Sequence, residues 1–342
     1  MVLREVLRKA ASGEALTEGE AERALETIME GATPPAATAA LLTALRVRGE
    51  SVSEIVGFAR AMRRFAVRVE APAGVVDTCG TGGDAKGTIN VSTAAAFVAR
   101  GAGVVVAKHG NRAATSRAGS ADVLEALGAE IELGPEGVGR CIEESGIGFM
   151  FARTHHPAMK FVAPVRAELP FRTIFNLLGP LTNPAGARRQ LVGVFGGAYV
   201  RAVAEALRGL GAVRALVVHG ADGMDEITVT DRTLVAEVGD EEIQEYEISP
   251  EDFGLGVHAP DGLLGGDAHL NARILRDVLS GAETGAARDV TLLNAGAAIY
   301  VSGRARSIEE GVRFAEESIG SGAALGALED FVHTTRRIAG LA

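Results

Sequence analysis

A glycine-rich run followed by hydroxyl and amide side chains is the part of this sequence best suited to hold a phosphate group. The loop residues concerned are Gly80, Gly83, Asp84, Thr88, Asn90, Ser92 and Thr93. A short β-branched run precedes them, and an alanine-rich helix is predicted for 91–100. Glycine N–H groups and the positive end of a helix attract anions. The spacing is neither a Walker A loop nor a GxGxxG fingerprint, so a plain tight turn is the alternative interpretation.

A second loop has the same relation to its neighbouring elements. KHGNR at 108–112 follows the apolar run 104–107 and precedes a helix predicted to start at Ser120. Lys108 can neutralise a phosphate, Gly110 allows close approach, and Ser116 or Ser120 can donate to an anion. The alternative makes Ser120 an ordinary helix cap in a solvated loop. Loops at the carboxyl ends of parallel strands meet at one edge of the sheet, so two of them favour a binding site.

Carboxylates occupy a third loop, GADGMDE at 220–226, after another β-branched run. Asp225 and Glu226 can converge on a metal, and Mg²⁺ prefers such oxygen ligands beside phosphates. A solvated acidic turn is the alternative for this loop taken alone. His155 and His156 lack a third ligand pattern, which favours a structural role. Arg166 could recognise a carboxylate or lie on the surface, and spacing does not decide between the two.

Composition limits the classes of function. The chain has 342 residues, is 47% hydrophobic and carries a net charge of −10. This balance argues against a nucleic-acid surface, which usually needs a basic patch. Two cysteines, no apolar run long enough to span a bilayer and no signal-peptide pattern predict a cytoplasmic protein.

Two lobes are predicted from the periodicity. Residues 1–70 are expected to form a helical domain, with capping boxes at Thr17–Glu20 and Ser51–Glu54, and to provide a homodimer interface. The proline-containing stretch 157–185 is expected to rejoin this domain. From residue 74 to 342, short β-branched runs alternate with helices, which predicts an α/β domain with a mostly parallel sheet. Strands are predicted for 75–77, 104–107, 130–133, 148–151, 191–195 and 215–219. Helices are predicted for 91–100, 120–127, 135–145, 199–210 and 268–279.

The motifs taken together resemble the anthranilate phosphoribosyltransferase family along essentially the whole chain. The matching segments are DTCGTGGD at 77–84, TINVST at 88–93, KHGNRAATSRAGSADVLEALG at 108–128, HHPAMKFVAPVR at 155–166, RTIFNLLGPLTNPA at 172–185 and GMDEI at 223–227. The resemblance implies a small helical domain joined to a larger α/β domain of the nucleoside phosphorylase and phosphoribosyltransferase type. It also implies transfer of phosphoribose from phosphoribosyl diphosphate (PRPP) to the amine of anthranilate in tryptophan biosynthesis.

Roles for individual residues follow from the same resemblance. Those expected to hold PRPP are Gly80, Gly83, Asp84, Thr88, Asn90, Val91, Ser92, Thr93, Lys108, His109, Gly110, Asn111, Arg112, Ala113, Ala114, Thr115, Ser116 and Ser120. Anthranilate is expected to contact Gly80, Asn111 and Arg166. Mg²⁺, as two ions, is expected at Ser92, Asp225 and Glu226. No covalent nucleophile is required, and His109 is the candidate if a base acts.

Two other functions remain open from the sequence. A pyrimidine nucleoside phosphorylase shares the SRAGSAD-like stretch, but it would use inorganic phosphate and would not need Asp225 and Glu226 for a metal. A non-catalytic, nucleic-acid-binding relative would need a basic surface, which the net charge opposes. The residues Ala85, Lys86 and Gly87 replace a more glycine-rich stretch, and Ala113 and Ala114 stand where small hydroxyl residues are frequent. These departures affect the closing of the loops.

Overall fold

The computed structural model describes residues 2–113 and 117–341. The predicted PRPP contacts at Ala114, Thr115 and Ser116 lie outside the described residues. No helix within the described ranges is both long enough and apolar enough to cross a membrane.

Four helices form the N-terminal lobe. They are α1 (Val2–Ala11), α2 (Glu18–Met29), α3 (Pro35–Arg48) and α4 (Val52–Phe65). Both predicted capping boxes are present, because Thr17 accepts from the Glu20 N–H and Ser51 accepts from the Glu54 N–H. Helices α2 and α4 cross closely at Gly57, where a Cβ atom would lie 2.3 Å from the Glu18 carbonyl oxygen. A larger residue there would push the two helices apart.

A seven-stranded mixed sheet forms the centre of the second lobe. Its strands are β1 (Val76–Gly80), β2 (Val106–Gly110), β3 (Ile147–Phe151), β4 (Arg189–Gly193), β5 (Arg214–Gly220), β6 (Thr233–Val238) and β7 (Gln244–Ile248). The spatial order is β3-β2-β1-β4-β5-β6-β7. The first five strands in this order are parallel, β6 runs antiparallel to β5, and β7 runs antiparallel to β6. The predicted mostly parallel sheet is confirmed, and the β6–β7 hairpin is an addition to it.

The predicted strand at 130–133 is wrong. Ile131 and Leu133 are buried and alternate with more exposed glutamates, which is the pattern that suggested a strand. The Glu130 N–H donates to Thr335 Oγ1, and the Glu132 N–H donates to the Glu130 carboxylate. Side chains therefore accept from these two N–H groups in place of a neighbouring strand, and the segment is a connection without regular secondary structure.

Helices cover both faces of the sheet. The longer ones are α5 (Val91–Gly101), α6 (Ser120–Ala126), α7 (Pro135–Ser145), α11 (Val200–Gly209), α12 (Ala268–Leu279), α13 (Ala286–Ser302), α14 (Ile308–Gly320) and α15 (Ala323–Ile338). The short ones are α8 (Ala152–His155), α9 (Ala163–Glu168) and α10 (Phe175–Leu178). Leu216 and Val218 of β5 face the core that contains α5 and α13. Ala215 and Val217 face the core shared with α11 and the N-terminal helices.

The segment between β3 and β4 packs on the N-terminal lobe. Phe175 of α10 meets Phe58 of α4 edge to face, with ring centroids 6.2 Å apart. Arg63 of α4 donates to the Leu181 carbonyl at 2.7 Å and to the Leu210 carbonyl at 3.2 Å. These contacts support the prediction that residues 157–185 rejoin the helical domain. The domain limits 1–70 and 74–342 remain a prediction.

Candidate active site

The loop after β1 has a backbone that few residue types can adopt. Gly82, Gly83 and Gly87 all have positive φ angles, and Ala85 joins them at 59°. A non-glycine residue in this region is strained, so Ala85 adopts a conformation that its side chain disfavours. Two hydrogen bonds hold the start of the loop, because the Thr81 N–H donates to the Gly193 carbonyl and Thr81 Oγ1 accepts from the Phe195 N–H.

The predicted metal-binding carboxylates contact this loop directly. The Gly82 N–H donates to Asp225 Oδ2 at 2.6 Å, and the Ser92 N–H donates to Glu226 Oε1 at 3.2 Å. Glu226 therefore lies at the positive end of α5, where a negative charge is favoured. Gly80 has no room for a side chain, since a Cβ atom would lie 2.5 Å from Asp225 Oδ2. Strand β1 and the 220–226 loop are thus brought together as the sequence predicted.

Excess negative charge defines this part of the site. Burial, and then the charge of Asp84, raise the pKa of Asp225 to about 7. Burial and the charge of Asp225 raise the pKa of Glu226 well above its usual value, although Lys108 opposes this. Within 2–113 and 117–341, no ion pair is formed by Asp84, Asp225 or Glu226.

The donor set fits a hard divalent cation. Carboxylate and hydroxyl oxygens are the ligands of Mg²⁺, which usually keeps several water or phosphate ligands. The described residues contain no group of three or more His, Cys, Asp or Glu side chains that closes on a single ion. An ion here would accordingly share its coordination between this loop, water and a bound phosphate.

Asp222 serves a different purpose from its neighbours. It accepts hydrogen bonds from Thr228 Oγ1 at 2.8 Å, Thr230 Oγ1 at 2.5 Å and the Met224 N–H at 3.0 Å. These bonds stabilise the turn that presents Asp225 and Glu226. Asn294 of α13 supports the other end of the turn, because its side chain bonds both the N–H and the carbonyl of Ile227. Sequence reasoning missed Asn294, whose signal is a fully buried polar residue inside an apolar helix.

Lys108 lies beneath the site rather than at its surface. It is 3% exposed and donates to the Thr78 carbonyl and, at 3.2 Å, to Ser92 Oγ. Burial lowers its pKa, while the charge of buried Asp77 opposes that shift. Asp77 in turn accepts from the His109 N–H at 3.0 Å and from Asn183 Nδ2 at 2.8 Å. The Ser92 hydroxyl therefore accepts from Lys108 and can still donate its own proton.

The second predicted loop has its own internal contacts. Arg112 is exposed and pairs with Asp122 at 3.0 Å and with Glu125 at 2.8 Å. The Ala113 N–H donates to Asp122 Oδ2 at 3.0 Å. Ser120 is the first residue of α6 and Gly119 is its cap, so the Ser120 hydroxyl is used instead to donate to the Asn111 carbonyl at 3.3 Å. Gly110 must lack a side chain, because a Cβ atom would lie 2.3 Å from Ser120 Oγ.

Four further predicted residues lie where the first loop enters α5. Thr88 forms an isolated antiparallel bridge with Leu264, and the Val91 N–H donates to the Ile89 carbonyl. The side-chain amide of Asn90 bonds to Ala118 and Asn271. Thr93 is 1% exposed, and its hydroxyl has no hydrogen-bond partner among the described residues.

Arg166 lies on α9, in the segment between β3 and β4. Its guanidinium carbon is 5.5 Å from the ring centroid of Phe175, and burial lowers its pKa. Across residues 2–113 and 117–341, Arg166 has no ion-pair partner. A partly buried arginine above an aromatic ring is suited to a planar carboxylate.

Buried histidines form a neutral group at the carboxyl end of β2. The rings of His109 and His156 are 5.0 Å apart. Burial, and then the proximity of another histidine, hold the pKa of His109 well below its usual range and lower that of His156 to about 4. His109 Nδ1 contacts the Gly179 carbonyl at 3.2 Å, and its Nε2 has no partner in the described part of the chain.

Arg172 joins the β3–β4 segment to the glycine loop. It donates to the Gly83 carbonyl, and its guanidinium carbon lies 4.3 Å from the centroid of the Phe195 ring. Sequence reasoning missed this residue as a site component, although it opens the RTIFNLLGPLTNPA motif. Its position had no local signal, because Gly83 lies 89 residues earlier in the chain.

Comparison with known proteins finds one family along nearly the whole chain. Residues 4–66 match the helical bundle domain of a glycosyl transferase family, and residues 72–325 match the a/b domain of that family. An anthranilate phosphoribosyltransferase of Rubrobacter xylanophilus is 83% identical over 339 residues, which is 99% of each chain.

Solved structures agree with these sequence matches. The anthranilate phosphoribosyltransferase of Thermus thermophilus is 49% identical, with a TM-score of 0.93 over 97% of this chain and 99% of that one. The Saccharomyces cerevisiae enzyme in complex with PRPP and Mg is 30% identical, with a TM-score of 0.89 over 98% of both chains. The same yeast enzyme has been solved with 4-fluoroanthranilate. This chain belongs to the anthranilate phosphoribosyltransferase family.

Proposed function

We propose that this chain transfers the phosphoribosyl group of PRPP to the amine of anthranilate, releasing diphosphate, as a step of tryptophan biosynthesis. The observation that carries the proposal is the convergence of Asp225 and Glu226 on the glycine loop and the start of α5, with Arg166 and Arg172 on the β3–β4 segment. An anionic leaving group and an aromatic acid are the two ligands that this combination suits.

PRPP would lie on the two loops that follow β1 and β2. The positive φ angles at Gly82 and Gly83 let backbone N–H groups approach the diphosphate closely. The hydroxyls of Ser92 and Thr88 would donate to its oxygens, and that of Ser120 would do so by giving up its bond to the Asn111 carbonyl. Lys108 lies below this surface and adds a positive charge. Its attraction for the diphosphate becomes stronger as water is excluded from the site.

Mg²⁺ would be held by Asp225, Glu226 and the Ser92 hydroxyl, and we propose two ions. The bound ions would neutralise the charge that develops on departing diphosphate. The raised pKa of Asp225 and the absence of a cationic ion-pair partner for it in the described ranges are what this part of the proposal depends on.

Anthranilate would be oriented by Gly80, Asn111 and Arg166, with the guanidinium of Arg166 on the carboxylate. Holding the amine against the ribose carbon converts an encounter of two molecules into a single oriented step. His109 is the candidate base: if Nδ1 carries the proton donated to the Gly179 carbonyl, Nε2 keeps its lone pair. An aromatic amine is already neutral at pH 7, so the demand on this base is small.

The proposal extends to assembly and location. The helical domain would form the interface of a homodimer, and the enzyme would act in the cytoplasm without a membrane or nucleic-acid partner. Light scattering of the purified chain measures whether it is a dimer, and substitutions on the exposed face of the helical domain test whether that domain forms the interface.

A fluorescence assay tests the proposed reaction. Loss of anthranilate fluorescence should require both PRPP and Mg²⁺, and omission of either, or addition of EDTA, should stop it. Release of diphosphate in equal amount to anthranilate consumed would complete the balance. Phosphorolysis of thymidine or uridine without metal would instead assign the chain to pyrimidine nucleoside phosphorylases, and salt-sensitive DNA binding would indicate a nucleic-acid-binding relative.

A further inference from the structure

Two asparagine amides, one buried and one half-buried, connect the C-terminal helices to both loops proposed to bind phosphate. Asn271, in the first turn of α12, is 2% exposed. Its Nδ2 donates to Asn90 Oδ1 at 2.8 Å, and its Oδ1 accepts from the Gly266 N–H at 2.7 Å. Asn90 Nδ2 then donates to the Ala118 carbonyl at 3.1 Å. The result is a chain of hydrogen bonds from Gly266 to Ala118 through two side-chain amides.

The direction of donation along these three hydrogen bonds is determined by the two backbone groups at their ends. The Gly266 N–H can only donate, and the Ala118 carbonyl can only accept. Asn271 must therefore turn its oxygen to Gly266 and its nitrogen to Asn90. Asn90 must in consequence turn its oxygen to Asn271 and its nitrogen to Ala118. No other orientation of either amide satisfies all three bonds.

Asn90 is diverted from the role that its position suggests. It immediately precedes α5, where an asparagine oxygen usually accepts from an N–H in the first turn of the helix. No such bond is present, because the Ser92 N–H donates to Glu226 and the Thr93 N–H donates to the Asn90 carbonyl. The side chain points sideways and joins the loop after β1 to the loop that precedes α6.

The segment that carries Asn271 also supports the first loop through its backbone. The Ile89 N–H donates to the Leu263 carbonyl at 3.0 Å, and the Gly265 N–H donates to the Gly87 carbonyl at 2.9 Å. At Gly265 a Cβ atom would lie 2.6 Å from Asn271 Oδ1 and 2.8 Å from the Thr88 carbonyl. Residues 263–271 therefore pack directly against the loop, and Asn271 contributes their side-chain contact with Asn90.

We propose that Asn271 is a positioning residue that sets the spacing of the two phosphate-binding loops by orienting the Asn90 amide. Asn271 acts through Asn90. The inference rests on the proposed function, since it requires that PRPP bind between these loops. Its effect should fall on PRPP rather than on anthranilate, because the bonds it controls join the loops proposed to hold PRPP.

Asn271→Asp tests the inference with little change in size. The aspartate keeps an acceptor for the Gly266 N–H but places an oxygen, in place of a donor, against Asn90 Oδ1. Asn90 must then either lose that contact or turn and present its oxygen to the Ala118 carbonyl. We expect KM for PRPP to rise about tenfold, the usual consequence of leaving a buried polar contact unsatisfied, while KM for anthranilate stays within about twofold.

Leu275→Ala is the matched control. Leu275 lies one turn further along α12 and is 3% exposed, so its truncation leaves a cavity without touching any polar contact of the loops. We expect this variant to lose thermal stability and to keep the wild-type KM for PRPP. Asn271→Ala, which also removes the donation to Asn90 but introduces no charge, provides a second variant if the aspartate prevents folding.

A second measurement separates positioning from general weakening. Asn271→Asp in an Asn90→Leu background should cost no further affinity for PRPP, because the residue through which it acts is already gone. Thermal stabilisation of the protein by PRPP with Mg²⁺ gives the same comparison without turnover. An Asn271→Asp variant that loses stability like Leu275→Ala but keeps its KM for PRPP would overturn the inference. A wild-type chain that PRPP and Mg²⁺ do not stabilise would overturn the proposed function itself.

Discussion

The carboxylate side of the site and the arginine side carry opposite charge and come from different parts of the chain. Asp225 and Glu226 lie on the loop after β5 and contact the glycine loop, where burial raises the pKa of both. Arg166 and Arg172 lie between β3 and β4 and rest on aromatic rings. The first side needs a cation, and the second can accept an anion. Each side therefore lacks a charge partner within the described residues and is suited to one class of ligand, a cation on the first and an anion on the second.

Removing charge from the carboxylate side should have the largest effect. The double variant Asp225→Asn and Glu226→Gln keeps side-chain shape, and we expect kcat/KM to fall about a thousandfold because metal-dependent stabilisation of diphosphate is lost. Titration of activity with Mg²⁺ measures this. Asp222→Asn is the control, since Asp222 stabilises the turn and should alter stability more than metal dependence. Full activity in the double variant would remove these residues from the metal site.

Acid should lower the free energy of unfolding, because the folded protein buries histidines in their neutral form. Burial lowers the pKa of His156 from 6.5 to about 4, so below pH 6.5 the unfolded state takes up a proton that the folded state does not. The contribution of His156 to the free energy of unfolding is therefore fully present above pH 6.5 and is lost as the pH falls toward 4. The loss from His156 is roughly 3 kcal/mol, about three hundredfold in the unfolding equilibrium.

Urea unfolding of wild type and His156→Gln at pH 7 and pH 5 measures this contribution. The variant should lose less stability than wild type over that interval, although both still contain His109 and His155, whose pKa values are also lowered by burial. If both proteins lost the same free energy of unfolding between pH 7 and pH 5, His156 would not contribute to the pH dependence in this interval.

On the arginine side, Arg166→Ala should raise KM for anthranilate about tenfold or more, because a charged hydrogen-bonding partner of the carboxylate is removed. KM for PRPP should change little, which is the split expected for a residue that contacts one substrate. Arg153→Ala, an exposed arginine on α8, is the matched control and should be silent. An unchanged KM for anthranilate would remove Arg166 from that site.

Arg172→Gln should have the smallest effect, and it tests the contact between the arginine side and the glycine loop. Its bond to the Gly83 carbonyl links the arginine side to the glycine loop, so we expect KM for PRPP to rise about threefold to fivefold. Arg172→Lys should recover part of this loss, since a lysine can still donate but cannot stack its charge flat on Phe195. A purely structural role would instead lower thermal stability and leave KM unchanged.

The parallel strands were the most predictable part of the fold. Short β-branched runs at 75–77 and 104–107 correctly predicted two neighbouring strands. Both strands extend further than predicted, to Gly80 and Gly110, so Lys108, His109 and Gly110 lie at the end of β2 and not in a loop. A strand was wrongly predicted at 130–133, because Ile131 and Leu133 can be buried without belonging to a paired strand. The β6–β7 hairpin was missed because β7 is largely exposed and has no apolar alternation of its own.

The glycine loops, the acidic pair at 225–226, the helical lobe and the family can all be predicted without a structure, because each depends on residues close together in the chain. Three other contacts become visible only in the folded structure: Asn294 bonds Ile227 across 67 residues, Asn271 bonds Asn90 across 181, and Arg172 bonds Gly83 across 89. Contacts over such separations depend on how helices pack against the sheet. They leave no local pattern, so the residues that position the site become visible only when the chain has folded around it.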